Sequence, residues 1–176
     1  MWISRPRRNS RTRPGGRNDV ELEKVVIPEE LLEMAQTYQM LSELDPQQLR
    51  KLVPLAEYKQ YYTGQVIFQI GDQSSYFHLI VSGEVALEQV AGGKPVRLQA
   101  LHHGDAMGWS ALTEDAQTHF QARALSAVST VAFPGARLRK ACDRDPAMGY
   151  LLMKRLLEVV SERLDATRAL LAGQEP

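Results

Sequence analysis

Between Gly104 and Ala124 the chain reads GDAMGWSALTEDAQTHFQARA, and this stretch holds its clearest candidate chemistry. Gly104 and Gly108 allow tight turns, and Ser110-Ala111-Leu112 suits a short helical turn after them. Backbone N–H groups at the start of such a turn can cradle a phosphate or another small anion. The candidate binding residues in and after this turn are Gly108, Trp109, Ser110, Ala111, Thr118 and His119. Charge is the weak point of this reading. Glu114 and Asp115 would repel an anion. Arg123, the nearest arginine, lies an odd number of residues from Thr118, so on one shared strand the two would face opposite sides. His119 would also face away from Thr118. Trp109 has two possible roles, a plug that fills the pocket or a platform for a planar ligand.

Other reactive residues do not assemble into a catalytic pattern. The four histidines are His78, His102, His103 and His119. His102 and His103 are adjacent and would point to opposite faces of a strand, so they cannot share a metal. Cys142 stands near Arg139, Lys140 and Arg144, which would lower its pKa if they faced it; the alternative is a buried, inert thiol. No nucleophile elbow, P-loop or dinucleotide fingerprint occurs in the sequence. The expectation is a protein that is not an enzyme and binds no metal.

The elements that must position this turn follow from periodicity. Pro28 to Met40 reads as a helix with Leu31, Leu32, Met34, Ala35 and Tyr38 on one face. A second helix starts with Asp45 as N-cap and Pro46 in its first turn, with Leu49, Leu52 and Val53 inward. From Ala56 to Pro134, short β-branched and aromatic runs alternate with glycines. The strands expected are Val66–Phe68, Phe77–Val81, Val85–Val90, Val96–Leu101, Phe120–Leu125 and Val128–Phe133, with a hairpin at Gly92-Gly93. Ala136–Cys142 is a short helix. A long one runs from Asp145-Pro146 to about Leu171 with an apolar seam of Met153, Leu156, Val160, Leu164, Thr167 and Leu171. The fold class is mainly β with flanking helices. Its parts are a disordered tail over 1–19, N-terminal helices over 20–55, a β-roll over 56–134 and C-terminal helices over 135–176.

Three glycine-anchored blocks, in order, carry a resemblance. They are Tyr61-Tyr62-Thr63-Gly64-Gln65-Val66-Ile67-Phe68 with Gly71-Asp72, then Phe77 to Val85 around Gly83, then Gly104-Asp105 with Gly108. Residues 41–171 resemble the cyclic nucleotide-binding domains of catabolite activators and kinase regulatory subunits. The resemblance implies a double-stranded β-helix, a jelly-roll-like β-roll. It also implies a glutamate directly after the turn glycine and a phosphate-binding arginine about ten residues on. Those positions hold Trp109 and Thr118. A regulatory module with a degenerate phosphate cassette is the implied function, with no cofactor. One alternative is a cyclic AMP or cyclic GMP sensor using non-standard contacts. Another is a relative of transcription regulators that acts through a separate DNA-binding partner, since the residues after Leu171 leave no room for a recognition helix. In this family the long helix often pairs two subunits. The expected dimer seam is Met153, Leu156, Val160, Leu164 and Leu171.

Charge is unevenly distributed. Six of the 21 basic residues are arginines within residues 1–17, which contain no acid, so the other 159 residues carry 15 basic and 21 acidic side chains. The tail suits non-specific contact with a polyanion such as nucleic acid. No apolar run reaches the ~20 residues of a membrane span, and no hydrophobic signal segment follows the tail. One cysteine in 176 residues excludes an internal disulfide. A cytoplasmic setting and an unidentified protein partner complete the expectations.

Overall fold

The computed structural model describes residues 38–91, 93–114 and 117–172. Its eight strands form two four-stranded sheets whose pairings are all antiparallel. The strands are β1 (Glu57–Tyr61), β2 (Val66–Phe68), β3 (Tyr76–Ser82), β4 (Val85–Ala91), β5 (Lys94–Leu101), β6 (Ala106–Met107), β7 (Gln121–Ala124) and β8 (Val128–Pro134). One sheet has the order β1-β8-β3-β6 and the other β2-β7-β4-β5. Successive strands largely swap sheets, which is how a roll encloses an interior.

Period-two alternation decides what each sheet face meets. On β3, Phe77 and Leu79 join Val131 and Phe133 of β8 in a core shared with the helices. Ile80 points the other way. It meets Val85, Leu87, Leu101, Met107, Ala122, Ala124 and Val128, drawn from both sheets, in the interior of the roll. His78 and Thr130 alternate with the helix-facing residues and are buried at 4% and 0% exposure.

The helices cover the first sheet. Helix α1 (Pro46–Leu52) opens on a complete capping box: Asp45 Oδ1 accepts from the Gln47 and Gln48 N–H groups, and Gln48 Oε1 accepts from the Asp45 N–H. Leu49 and Leu52 are buried, and Val53 begins a 3₁₀ turn to Leu55. Helix α2 (Gly135–Arg144) and the long helix α3 (Pro146–Ala172) follow the roll. Leu138, Met148 and Leu152 enter the same helical core.

Several sequence expectations need correction. The helix expected over Pro28 to Met40 lies mostly outside the described residues; its last three residues, Tyr38–Met40, form a bend and turn. Two strands were not anticipated, the polar β1 and the two-residue β6. The expected strand from Phe120 begins at Gln121. The hairpin lies as expected, with Ala91 opposite Lys94. Of the seam expected on α3, Met153 and Leu164 are exposed and Leu156 is not. Leu156 packs on the chain's own helical core. Among the described side chains of α3, the exposed large apolar residues are Tyr150, Met153, Leu157 and Leu164. Val160 is half-buried, and the side chain of Leu171 lies outside the described residues, as does the Arg-rich tail. Among the described residues, no helix is long and apolar enough to cross a membrane.

Candidate functional site

The glycine turn takes its shape from two constraints. Gly108 has φ +73°, and a Cβ there would collide with the Tyr76 carbonyl oxygen, so only glycine fits. The chain then makes a four-residue 3₁₀ turn, Trp109–Leu112, closed by the Ala111 N–H to Gly108 O bond at 3.0 Å. Asp105 shapes the approach: its Oδ2 accepts from the His102 N–H at 2.7 Å. Asp72 does the same for the β2–β3 turn, accepting from the Gln69 N–H at 2.8 Å.

Five of the six candidate residues line one small cavity. Gly108, Trp109, Ser110, Thr118 and His119 meet there with Phe68, Leu87, Phe120 and Arg163. Ala111 does not reach it; that residue is fully buried against Gly135. The cavity measures about 20 Å³. That is room for about one water, whereas small-molecule pockets start at ~300 Å³.

Thr118 is committed elsewhere. Its hydroxyl donates to Gln69 O and, at 3.3 Å, to Asp72 O. Its N–H donates to Asp72 O at 2.9 Å, and its carbonyl accepts from the Gly71 N–H at 2.9 Å. These bonds pin Thr118 onto the Gln69–Asp72 turn. Trp109 is half-buried and packs against the helical core.

The two neighbouring cations behave differently. Thr118 stands in a loop, so strand alternation does not govern its relation to Arg123 as expected from sequence. Arg123 nevertheless turns away from the interior occupied by Ala122 and Ala124. It pairs with the buried Glu88 at 3.1 Å and donates to Gly64 O at 3.2 Å. Arg163, which sequence reasoning missed, comes from α3 to the cavity wall and donates to Ala106 O. Burial lowers its pKa from the usual guanidinium value, and Asp105 and Glu162 oppose that shift. A sequence signal for Arg163 was its place on the long helix. Nothing local says that this turn of helix reaches a strand 57 residues earlier.

The remaining reactive residues are placed as follows. His102 and His103 are exposed, and His103 Nδ1 lies 2.8 Å from Val81 O. Cys142 is half-buried, and its pKa is raised, first by burial and then by Asp143. Of its cationic neighbours, Arg139 is turned to the carbonyls of Ala111 and Thr113.

Two interlocked antiparallel sheets, a glycine-shaped 3₁₀ turn and a long helix laid along the turn define a cyclic-nucleotide-binding type of β-roll. The family model for the cyclic nucleotide-binding domain matches residues 58–145, and the chain belongs to that family. No curated protein matches the chain in sequence. Among solved structures, one relative is a protein from Geobacter metallireducens assigned as cyclic nucleotide-binding. It is 29% identical over 75% of this chain and 96% of its own, with a TM-score of 0.67. A cyclic nucleotide-binding domain from Methylobacillus flagellatus shares the fold at 17% identity, covering 84% of each chain, with a TM-score of 0.71. The catabolite activator protein of Thermus thermophilus does so at 22% identity, over 76% of this chain and 62% of its own, with a TM-score of 0.64.

Proposed function

We propose that this chain is a non-enzymatic regulatory module of the cyclic nucleotide-binding family whose phosphate cassette is closed to cyclic nucleotides. The observation that carries this is the ~20 Å³ cavity. Trp109 fills the position where the family has its ribose-binding acid. Thr118 stands where the family has its arginine and spends its hydroxyl on Gln69 and Asp72. Signalling would then pass by protein contact, in the cytoplasm, through a homodimer along α3. The exposed stripe Tyr150, Met153, Leu157 and Leu164 supports that contact, being spaced by threes, fours and sevens on one helix.

Calorimetry with cyclic AMP and cyclic GMP tests the closed cassette, and a Kd tighter than ~10 μM for either would refute it. Solution mass tests the dimer. Leu157→Lys with Leu164→Lys should convert a dimer to a monomer, and a wild-type protein of monomer mass would sink that part. Gel shifts with and without residues 1–17 test the arginine tail as a non-specific nucleic-acid contact; binding that survives truncation would exclude it.

Arg163 favours a second reading. It borders the same cavity, so a sensor with non-standard contacts would draw its positive charge from α3 instead of the cassette. In that case Arg163→Met would abolish cyclic nucleotide binding.

A further inference from the structure

A larger cavity shares Phe68 and Thr118 with the small one. It measures about 320 Å³, within the size range of small-molecule sites. Lys59, Tyr61, Phe68, Tyr76 and His78 supply its chemistry, and the exposed Ser75 stands on its rim. Here the interior of the roll turns polar.

His78 is the buried polar group of this site. Its Nδ1 lies 3.2 Å from Thr130 Oγ1, to which the Tyr61 hydroxyl is also hydrogen-bonded. This chain of partners holds the ring by one nitrogen. The other ring nitrogen has no hydrogen-bond partner among the described residues, and the ring lines the cavity. Burial, with Lys59 adding to it, pulls the His78 pKa down to about 3. The imidazole is therefore neutral near pH 7 and able to exchange one hydrogen bond with a ligand.

Lys59 supplies the charge. Its Nζ sits 3.8 Å from the centroid of the Tyr76 ring and 3.3 Å from Glu57, and its side chain is 21% exposed. An ammonium has three donors and can take a further acceptor. The place a cationic ligand would occupy over Tyr76 is already filled by Lys59, which selects against cations. The other charged lining group, Asp72, uses one carboxylate oxygen to hold the Gln69 N–H. Tyr61, Phe68 and Tyr76 offer aromatic surface to a flat ligand.

The geometry points to a second ligand site, for a small planar aromatic acid with its carboxylate on Lys59 and its ring edge at His78. The site is separate from the phosphate cassette and does not depend on whether the cassette is closed. Titration of the ¹⁵N-labelled full chain with benzoate, 4-hydroxybenzoate and indole-3-acetate tests it, read at the His78 ring nitrogens. At least one acid should shift the non-Thr130 nitrogen with a Kd of ~1 mM or tighter, the affinity expected of fragments this small. Lys59→Met should weaken that binding at least ~10-fold, and Ser75→Trp, on the exposed rim, should block it without touching the core. No shift at His78 from any of the three acids overturns the proposal. So does equal binding by the Ser75→Trp protein, or shifts confined to Trp109 and His119, which would place the acids in the cassette.

Discussion

Replacing Trp109 by alanine separates a blocked cassette from one that merely lacks charge. An indole fully buried covers ~200 Å², and Trp109 is half-buried. Displacing it to admit a ligand would re-expose ~100 Å², costing about 2.5 kcal/mol at ~25 cal/mol per Å². The absent arginine removes about 2–5 kcal/mol more. Together these lower affinity by a factor of at least ~10³, taking a micromolar site to ~1 mM or weaker. Trp109→Ala removes the first penalty only. Cyclic AMP binding should tighten ~50-fold and still stop short of micromolar, because Thr118 supplies no charge. Titration calorimetry reads this directly, with circular dichroism as the check that the roll persists. If Trp109→Ala binds cyclic AMP no better than the wild type, the indole is not the plug. If the wild type already binds below ~10 μM, both penalties are illusory.

Three further outcomes follow from the same structure. Gly108→Ala should destabilise the fold by ~1–3 kcal/mol in urea unfolding, because φ is +73° and the methyl group meets Tyr76 O; a loss under ~0.5 kcal/mol would show that the turn adapts. The pH dependence has a definite sign at His78. The unfolded imidazole takes a proton below about pH 6.5, the folded one only near 3, so stability is lost as pH falls through that interval. Between pH 7 and pH 5 the loss from this group is about 2 kcal/mol. A His78→Gln protein should lack that share of the slope, and identical slopes in the two proteins would refute the buried neutral imidazole. Cys142, its pKa raised by burial, should be alkylated by iodoacetamide more slowly than a denatured control at pH 8. Equal rates would mean the thiol is open.

Local chemistry made much of this architecture legible in advance. Asp45 and Pro46 announce α1 because a cap needs only its own next three residues. Gly64, Gly71, Gly83, Gly104 and Gly108 mark turns because each takes positive φ, which other residues resist. β1 escaped notice because Glu-Tyr-Lys-Gln-Tyr carries no apolar alternation; its strand form comes from pairing with β8, about seventy residues away. β6 is two residues long and has no periodicity to read.

By itself the sequence determined the family, through glycine spacing, and the residue types at the turn, Trp109 and Thr118 among them, because residue type is a property of the chain alone. It also determined the amphipathic length of α3. Tertiary structure decided everything that depends on which distant groups meet. Thr118 could have faced a ligand, but Gln69 and Asp72, 49 and 46 residues away, claim its hydroxyl. Arg163 borders the cassette only because α3 folds back over β6. The seam of α3 follows the same rule: Leu156 and Leu157 are equally apolar, and the packed core decides which is exposed. Cavity volume is the extreme case. The small cavity beside Trp109 and the larger one beside His78 are spaces between segments, and no single segment encodes a space.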